Sequence, residues 1–527
     1  MIKEKLLHTP AGPQWKQIEV RHHHGICLPL FSLHSEISCG IGEYLDLIPM
    51  IHWCKEIGMD VIQLLPLNDC GLGTSPYNAI SAFALSPIYL SIKALPSIDQ
   101  VPEYLEKVSK LQYWNRTTRV KYHIVRELKF SLLREYFSLV FPELSQNQHY
   151  KNFVAQNSWL ESYALFKALK EANFWKSWED WPIPLKSPSE HGYFELLQEH
   201  KEACDFHIFL QYLCYQQLEH VKNVATENKI DLKGDLPILI SRDSADVWRS
   251  RHIFLLHLAA GAPPDMYSRE GQYWGFPLYD WEELEKTDYL WWRQRLQFAS
   301  HLYHLYRIDH VVGFFRMWAI PIGKPAKEGS FVPSGEAEWI PLGRKLMEMM
   351  LTAAPILPIG EDLGLVPTSV KECLYELGIC GTKMMRWERR WETDGDFIPI
   401  NQYQVMTMST VSTHDSDTLQ LWWRHFPKEA KLFADFKGWP YEPFLSTERQ
   451  KEILHDCHHS TSLFHINLLQ EYLALFPELV SQNPNNERIN IPGKILDTNW
   501  TYRFRPSIEK MIEHPQLSKK IKEILTP

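Results

Sequence analysis

Apolar, β-prone runs alternate along the chain with segments in which apolar residues recur at helical spacing. Helical spacing fills most of the gaps between runs, as in 44–57 and 291–306. The β-prone runs are 25–30, 61–65, 236–240, 305–308, 356–359, 383–387, 405–411 and 488–491. Alternating strands and helices are typical of βαβ units with a parallel sheet. Eight such runs predict an α/β fold, a closed (β/α)8 TIM barrel.

One interval, 101–229, is too long for a simple connection between two strands. It shows helical spacing throughout and contains no β-prone run. We therefore expect a large, mainly helical insertion between the second and third strands, with shorter inserted loops elsewhere. A second irregular stretch, 323–340, is rich in Gly and Pro and predicts a surface loop.

The composition is ordinary for a globular protein except in its aromatic content. Hydrophobic residues make up 45% of the 527 residues and charged residues 23%. Trp, Tyr and Phe reach 13%, and their flat rings suit the C–H faces of sugars, although a large core also uses many rings. Trp175, Trp178 and Trp181 lie three residues apart, which favours the buried face of a helix over a sugar platform.

Charge and cysteine usage exclude several classes of function. A net charge of −9 argues against nucleic acid as a partner. No apolar run approaches the roughly eighteen residues of a membrane-spanning helix, and the first twelve residues lack the apolar stretch of a signal peptide. The nine cysteines are scattered without a C-x-x-C pair. Together these features predict a cytoplasmic protein with free thiols and no membrane partner.

Three short acidic segments follow β-prone runs at intervals of about fifty residues. They are Arg307-Ile308-Asp309-His310, Gly360-Glu361-Asp362-Leu363-Gly364 and Ser412-Thr413-His414-Asp415. Because active-site groups of a parallel barrel gather at the carboxyl ends of its strands, we expect Asp309, Glu361 and Asp415 to meet. Carboxylates gathered at one barrel mouth are suited to breaking and remaking glycosidic bonds. The pattern therefore predicts an enzyme that acts on sugar chains.

Asp309 has two interpretations from its neighbours alone. A carboxylate nucleophile must be ionised at neutral pH, and the adjacent Arg307 and His310 are suitable partners for that form. An aspartate in this position also suits the N-cap of a following helix.

Glu361 follows a buried-strand pattern, where partial desolvation would raise its pKa and let it exchange a proton with a sugar oxygen. Its neighbour Asp362 points to the opposite face of the strand and is expected to cap the next turn. His414 and Asp415 can grip ring hydroxyls. With Asp417 they also fit a capping cluster or a metal site.

Further motifs make the chain resemble a known family. They are Gly40-Ile41-Gly42, Leu64-Leu65-Pro66-Leu67, Ser75-Pro76-Tyr77, Asp243-Ser244-Ala245-Asp246-Val247-Trp248, Gly261-Ala262-Pro263-Pro264-Asp265, Gly271-Gln272-Tyr273-Trp274-Gly275 and Asn499-Trp500. With the three acidic segments, and in this order, they resemble the 4-α-glucanotransferases, known as amylomaltase or disproportionating enzyme, over essentially the whole chain. The resemblance implies a single catalytic barrel spanning 1–527. It also implies transfer of an α-1,4-glucan segment to the 4-hydroxyl of another glucan or of glucose, in maltodextrin or glycogen metabolism, without cofactor or metal.

The resemblance also implies roles at matching positions. Asp309 would be the nucleophile that forms a covalent β-glucosyl intermediate, Glu361 the general acid/base, and Asp415 the stabiliser of the transition state. The implied substrate-binding residues are Ser75, Tyr77, Asp243, Asp265, Gln272, Trp274, Arg307, His310 and His414. Retention of configuration predicts that the Asp309 and Glu361 carboxyls lie about 5–5.5 Å apart.

The segment 261–276 is interpreted as a loop that covers the active site. Its Gly and Pro residues break helix and strand alike, and it carries Tyr267, Tyr273 and Trp274. A lid that excludes water would let a sugar hydroxyl, rather than water, attack the covalent intermediate in the second step. The result would be transfer rather than hydrolysis. The alternative is an ordinary surface loop with aromatic residues.

The chain departs from the family pattern at a few positions. The family often has Asn where Tyr273 and Ser416 stand, and Ala at Gly360. These departures bear on the choice of acceptor more than on the chemistry. The stretch 386–394 is more charged than expected after a strand, and the sequence assigns it no role.

Two other functions remain open at this point. A glucan hydrolase would use the same acids and admit water, and a non-catalytic glucan-binding barrel would not need all three. His22-His23-His24 is interpreted as a solvated or partly packed segment. The cluster His455-Asp456-Cys457-His458-His459 lacks a second cluster at zinc spacing.

Overall fold

The computed structural model describes residues 2–264 and 269–527. Eight parallel strands form one sheet: β1 His23–Leu28, β2 Val61–Leu64, β3 Asp231–Leu236, β4 Leu305–Ile308, β5 Leu357–Gly360, β6 Gly381–Met384, β7 Thr407–Thr410 and β8 Phe464–Leu468. Their order in the sheet is β5-β4-β3-β2-β1-β8-β7-β6. The outer strands β5 and β6 meet through an Ile359–Cys380 bridge. The sheet thus closes on itself, and the predicted (β/α)8 barrel is confirmed.

The seam between β5 and β6 is joined largely by side chains. The Asp362 carboxylate accepts the Thr382 N–H at 2.6 Å, and the Thr382 hydroxyl donates to the Gly360 carbonyl at 3.0 Å. A Cβ on Gly381 would lie 2.6 Å from the same carboxylate, so any larger residue there would displace the Asp362 side chain. Asp362 therefore ties two strands together, and the expectation that it caps the next turn is wrong.

Helices surround the sheet. They are Ile2–Leu7, Gly12–Ile18, Leu47–Ile57, Tyr104–Tyr113, Tyr122–Leu144, Gln148–Gln156, Trp159–Ala172, Ile183–Lys186, Glu190–Glu199, Lys201–Glu227, Ala245–Arg249, Trp281–Glu285, Leu290–Ser300, Glu336–Ala353, Thr368–Leu377, Leu419–His425, Pro427–Phe436, Thr447–His458, Leu469–Leu473, Ile508–Ile512 and Pro515–Leu525. Within residues 2–264 and 269–527, no helix is long and apolar enough to cross a membrane.

The connection between β2 and β3 is mainly helical, as expected. Its helices begin at Tyr104–Tyr113 and end with Lys201–Glu227. This last helix packs against both Trp159–Ala172 and Leu47–Ile57, so it belongs to the barrel wall as well as to the insertion. The bounds 101–229 for a separate subdomain stay a prediction.

The third strand precedes its predicted position, 236–240. The strand β3 carries Lys233 and Asp235, whose side chains are buried inside the barrel. Lys233 donates a hydrogen bond to Gln63 on β2 at 2.8 Å. Charged residues rarely lie fully buried unless they are paired. Because this strand contains two of them, it lacks the apolar run by which a buried strand is recognised in a sequence.

The last strand was also misplaced. The segment 488–491 is irregular, and β8 lies earlier in the chain. It contains the buried polar residues His465 and Asn467, and the His465 ring contacts the Ser409 hydroxyl at 3.0 Å. The predicted run 383–387 is part of β6 and continues as a 3-10 turn, Met385–Trp387.

Two other predictions are corrected in detail. The stretch 323–340 is not simply a loop, because it contains strand Ser330–Val332 and the start of helix Glu336–Ala353. Trp178 and Trp181 are buried as expected, but they lie on and after a 3-10 turn, Trp178–Asp180, rather than along a helix.

A small antiparallel sheet lies outside the barrel sheet. Its strands are, in order, Ser330–Val332, Met317–Pro321, Leu258–Ala262 and Gln272–Tyr273. Met317–Pro321 follows β4 after one 3-10 turn, Val311–Phe314. This sheet carries both ends of the predicted covering loop 261–276.

Histidines cluster where β1 and β8 begin. His22 Nδ1 lies 3.1 Å from His465 Nε2, and His24 Nδ1 lies 2.9 Å from His458 Nδ1. The His458 ring also contacts the Tyr472 hydroxyl at 2.6 Å. Burial lowers the pKa of His24 to about 4 and that of His465 to about 3. His22 is exposed, His23 is buried and His24 is half-buried, so the expectation of a solvated or partly packed tract is confirmed.

Candidate active site

Arg307 is the centre of a cluster of acids at the carboxyl ends of neighbouring strands. Its Nη1 lies 3.0 Å from both oxygens of Asp235 and 2.8 Å from Asp309 Oδ1. Its Nη2 lies 3.8 Å from Glu361 Oε2. Asp235 on β3 and Arg307 on β4 are register partners, so both side chains enter the same space. One guanidinium therefore contacts three carboxylates.

Asp309 follows β4 directly, and its side chain is 25% exposed. His310, the next residue, has φ of 47°, so the backbone turns sharply after the acid. The 3-10 turn Val311–Phe314 begins after His310 and has no side-chain cap. The N-cap interpretation of Asp309 is therefore wrong. The carboxylate is held by Arg307 and remains accessible to a ligand.

Glu361 is held by backbone donors. Its carboxylate accepts N–H groups from His310 at 3.1 Å and from Leu363 at 2.9 Å, and its side chain is 16% exposed. Burial, together with the nearby Asp309 carboxylate, raises the pKa of Glu361 to about 7. Glu361 can therefore hold a proton near neutral pH and release it, as a general acid/base requires.

Asp415 is held in the ionised form. Its side chain is 45% exposed, and His414 and the amide of Asn490 lower the pKa of Asp415 to about 2. His414 Nε2 lies 3.3 Å from Asp415 Oδ2, and Asn490 Nδ2 donates to Oδ1 at 2.7 Å. Asp417 pairs instead with Arg488 and with His425. Asp415 and Asp417 thus have different partners, which does not favour the shared capping cluster or metal site.

Tyr77 links the two sides of the cluster. Its hydroxyl donates to Asp235 Oδ2 at 2.6 Å, and burial raises its pKa well above the ordinary value. Its ring stacks on His414, with ring centres 5.2 Å apart, and lies 5.4 Å from the Trp500 ring. The tyrosine therefore joins the Arg307 group to the His414–Asp415 pair.

The covering segment reaches this cluster through Trp274. Its ring lies edge-on to His310 at 5.1 Å, and its indole N–H donates to Gln272 Oε1 at 3.1 Å. Asp265, which was assigned to the same segment, and Tyr267 lie outside the described residues. Ser75 lies half-buried on the loop of Tyr77.

Asp243 is paired with the helical insertion. Its carboxylate contacts Lys170 Nζ at 2.6 Å and the Trp178 N–H at 3.2 Å. Lys170 is buried and also donates to the carbonyl of Lys176 at 2.8 Å. The insertion thus fixes the orientation of Asp243.

Sequence reasoning missed two members of the cluster. Asp235 lies inside strand β3, just before the run 236–240 that was predicted to be the third strand. The available signal was the alternation of Lys233 and Asp235 with uncharged residues. Charged residues on one face of a buried strand need partners inside the protein. Asn490 lies in the irregular segment that was predicted to be a strand.

The comparisons with known proteins identify the family of the chain. The family profile described as 4-alpha-glucanotransferase matches residues 28–509. A 4-alpha-glucanotransferase of Chlamydia pneumoniae is 46% identical over 521 residues, covering 98% of each chain. That of Thermus thermophilus is 32% identical over 472 residues, covering 86% of this chain and 89% of its own. A solved amylomaltase from Streptococcus agalactiae in complex with acarbose has a TM-score of 0.83 at 25% identity, covering 96% of this chain and 99% of its own.

The family match spans most of the chain and includes the strands that carry Asp235, Asp309, Glu361 and Asp415. The match to the Chlamydia pneumoniae relative covers nearly all of both chains. The chain belongs to the 4-α-glucanotransferase family.

Proposed function

We propose that this 4-α-glucanotransferase acts by a retaining double displacement with Asp309 as nucleophile and Glu361 as acid/base. The observation that carries this assignment is the shared Arg307, which contacts Asp309 at 2.8 Å and approaches Glu361 at 3.8 Å. One guanidinium thus holds the two carboxyl groups close to each other at the mouth of the barrel. A nucleophile and an acid/base about 5–5.5 Å apart define the retaining arrangement.

In the first step, Asp309 Oδ attacks the anomeric carbon of a bound α-1,4-glucan. The bond from that carbon to the leaving oxygen breaks, and Glu361 gives its proton to this oxygen. A pKa of about 7 leaves Glu361 protonated in a large share of molecules at neutral pH. The product is a β-glucosyl ester on Asp309, and the shortened glucan leaves.

In the second step, the 4-hydroxyl of an acceptor glucan or glucose attacks the same carbon. Glu361, now ionised, takes the hydroxyl proton, and the ester bond to Asp309 breaks. Two inversions restore the α configuration. Arg307 neutralises the carboxylate that is released, because its guanidinium remains within 2.8 Å of it.

The ionised Asp415 would stabilise the positive charge that develops on the sugar ring in both steps. Its fixed partners His414 and Asn490 hold it in place before substrate arrives. The stacked Tyr77 ring presents a flat apolar face beside the reacting sugar. We assign sugar-hydroxyl contacts to Ser75, Asp243, Asp265, Gln272 and His310 on the family resemblance.

Trp274 supports transfer over hydrolysis. Its edge-on contact with His310 places an indole beside the residue that follows the nucleophile. An apolar ring there would keep water from the ester while a sugar acceptor binds. We assign the same role, exclusion of water from the ester, to the rest of the covering loop 261–276.

The substrate proposed for this cleft is an α-1,4-glucan. A related amylomaltase from Streptococcus agalactiae was solved in complex with acarbose, which supports a saccharide as the ligand of this chain. Glucose as acceptor, glycogen as a polymeric substrate and action in the cytoplasm rest on the family resemblance and on the sequence.

Maltotriose distinguishes transfer from its alternatives. Transfer gives glucose and a ladder of longer chains at a constant number of reducing ends, hydrolysis raises that number, and a binding protein changes neither. We expect Asp309→Asn to lower turnover by at least about 10⁴-fold, since it removes the attacking oxygen anion. The variant Asp99→Asn, at an exposed aspartate, is the matched control. Near-normal activity of Asp309→Asn would reject the nucleophile assignment.

A further inference from the structure

A groove lies on the flank of the barrel, between the helical insertion and the barrel wall. Its volume is about 440 Å³, within the range of ligand sites. We call it the flank groove and define it by Phe153, Trp159, Tyr215, Gln294, Gln297 and Phe298. These residues come from the insertion and from helix Leu290–Ser300. None of the residues assigned to the active site lines the groove.

Aromatic rings form the inner surface of the flank groove. Phe153 and Tyr215 have ring centres 5.1 Å apart, and Trp159 and Phe298 have ring centres 5.3 Å apart. Tyr215 and Phe298 lie 6.0 Å apart, so the two pairs are continuous. Trp159, Tyr215 and Phe298 are only half-buried. Part of each ring is therefore accessible to a ligand.

Uncharged polar groups form the rim. Gln156, Gln294 and Gln297 line the groove, and among the described residues their side-chain amides have no hydrogen-bond partner within the protein. Each amide offers both donors and an acceptor. The carboxylate of Glu219, the single acid in the lining, already accepts the Tyr215 hydroxyl at 2.8 Å. The rim is therefore nearly neutral and free to form hydrogen bonds.

We propose that the flank groove binds a segment of an α-1,4-glucan away from the reacting centre. The inference rests on the proposed function for the choice of sugar. Hydroxyl groups donate and accept hydrogen bonds and so match amide side chains, while the C–H faces of glucose pack on rings. The lining contains neither Lys nor Arg, which disfavours phosphate or nucleic acid. The amide rim disfavours a purely apolar ligand, because its polar groups would be left unpaired.

A second glucan contact would matter for long substrates. A polymer held at the flank groove raises the local concentration of chain ends near the active site. Maltotriose is a short chain and offers the groove no segment remote from the reacting bond. The groove is therefore expected to affect the use of glycogen and to leave the use of maltotriose unchanged.

The test is glycogen binding by the double variant Gln294→Ala/Gln297→Ala. Binding is measured by affinity electrophoresis in an Asp309→Asn background, so that the glycogen is not remodelled. We expect about tenfold weaker apparent affinity, because at least two hydrogen bonds are lost. Gln198→Ala, an exposed glutamine on helix Glu190–Glu199, is the matched control and should bind as the parent does.

Activity measurements on the otherwise wild-type chain complete the test. The double variant should lose about tenfold in kcat/KM with glycogen and change less than about twofold with maltotriose. Gln297→Trp, which fills the groove from an exposed position, should act in the same way. Equal glycogen affinity of the parent and both variants would overturn the proposal. Failure of the parent to form a maltotriose ladder would instead reject the proposed function, since that assay does not involve the groove.

Discussion

Glu361→Gln is expected to make the protein more stable while it abolishes turnover. The pKa of Glu361 is raised from an ordinary 4.5 to about 7, so the folded protein disfavours its ionised form. A raised carboxyl pKa costs no stability well below pH 4.5, and the cost grows as pH rises to about 7 and then levels off. Glutamine is neutral at every pH and removes this cost.

The magnitude follows from the two pKa values. The free energy of unfolding of the variant, relative to wild type, should rise by about 2.5 kcal/mol between pH 5 and pH 8. The side chain is 16% exposed, so solvent screens little of this effect. Loss of one accepted N–H bond, from His310 or Leu363, offsets about 1 kcal/mol at all pH values and does not change the slope.

Thermal unfolding at pH 5 and pH 8 measures this difference. For a chain of 527 residues, the expected relative gain in Tm is about 2 °C. Wild-type kcat/KM with maltotriose should report the same pKa, with about a tenfold loss for each pH unit above about 7. A Tm difference that stays constant from pH 5 to pH 8, with a flat rate profile, would refute the assignment of Glu361 as the proton donor.

Three further predictions concern groups around the acids. Asp235→Asn should lower kcat with maltotriose about 10²-fold while the fold stays intact, because Arg307 loses a partner that orients it; unchanged kcat would show that Arg307 is positioned otherwise. Lys170→Met should raise KM about tenfold with little change in kcat, because Asp243 loses its fixed orientation, and an equal loss in both parameters would contradict this. Since burial holds the pKa of His465 at about 3, below the ordinary 6.5, its contribution to stability is complete above pH 6.5 and is lost as pH falls toward 3. His465→Asn should therefore lessen the drop in Tm between pH 7 and pH 4.5, and an identical drop in the variant and the wild type would exclude a role for this ring.

The strands that were predicted near their true positions are those in which most residues are apolar or carry a hydroxyl group. β2, β4, β5 and β7 contain mostly apolar or hydroxyl side chains and end in polar loops, which is the pattern that sequence reasoning detects. β3 and β8 were misplaced because the barrel interior there is polar. Lys233 pairs with Gln63, and His465 with Ser409, across neighbouring strands. Pairing between distant segments is invisible in a single strand's pattern.

The three catalytic acids were predictable from the sequence, but several of their side-chain partners were not. Asp309, Glu361 and Asp415 each follow a strand, so the topology of a parallel barrel alone brings them to one end. Asp235 and Asn490 depend on side-chain contacts across the fold, with Arg307 and Asp415 respectively. The pairing of Asp243 with Lys170 depends on how the insertion packs. Such contacts join residues that are far apart in the sequence, so the order of residues alone does not reveal them.

The seam between β5 and β6, beside Asp362, separates Asp415 from the other two catalytic groups. Asp309 and Glu361 lie on the same side of it, and their strands are joined by a continuous ladder and by the Glu361 N–H bond to the Ile308 carbonyl at 2.9 Å. Asp415 follows β7, beyond the seam. The proposed nucleophile and acid/base are therefore held in register by backbone hydrogen bonds that do not depend on the Asp362 side chain.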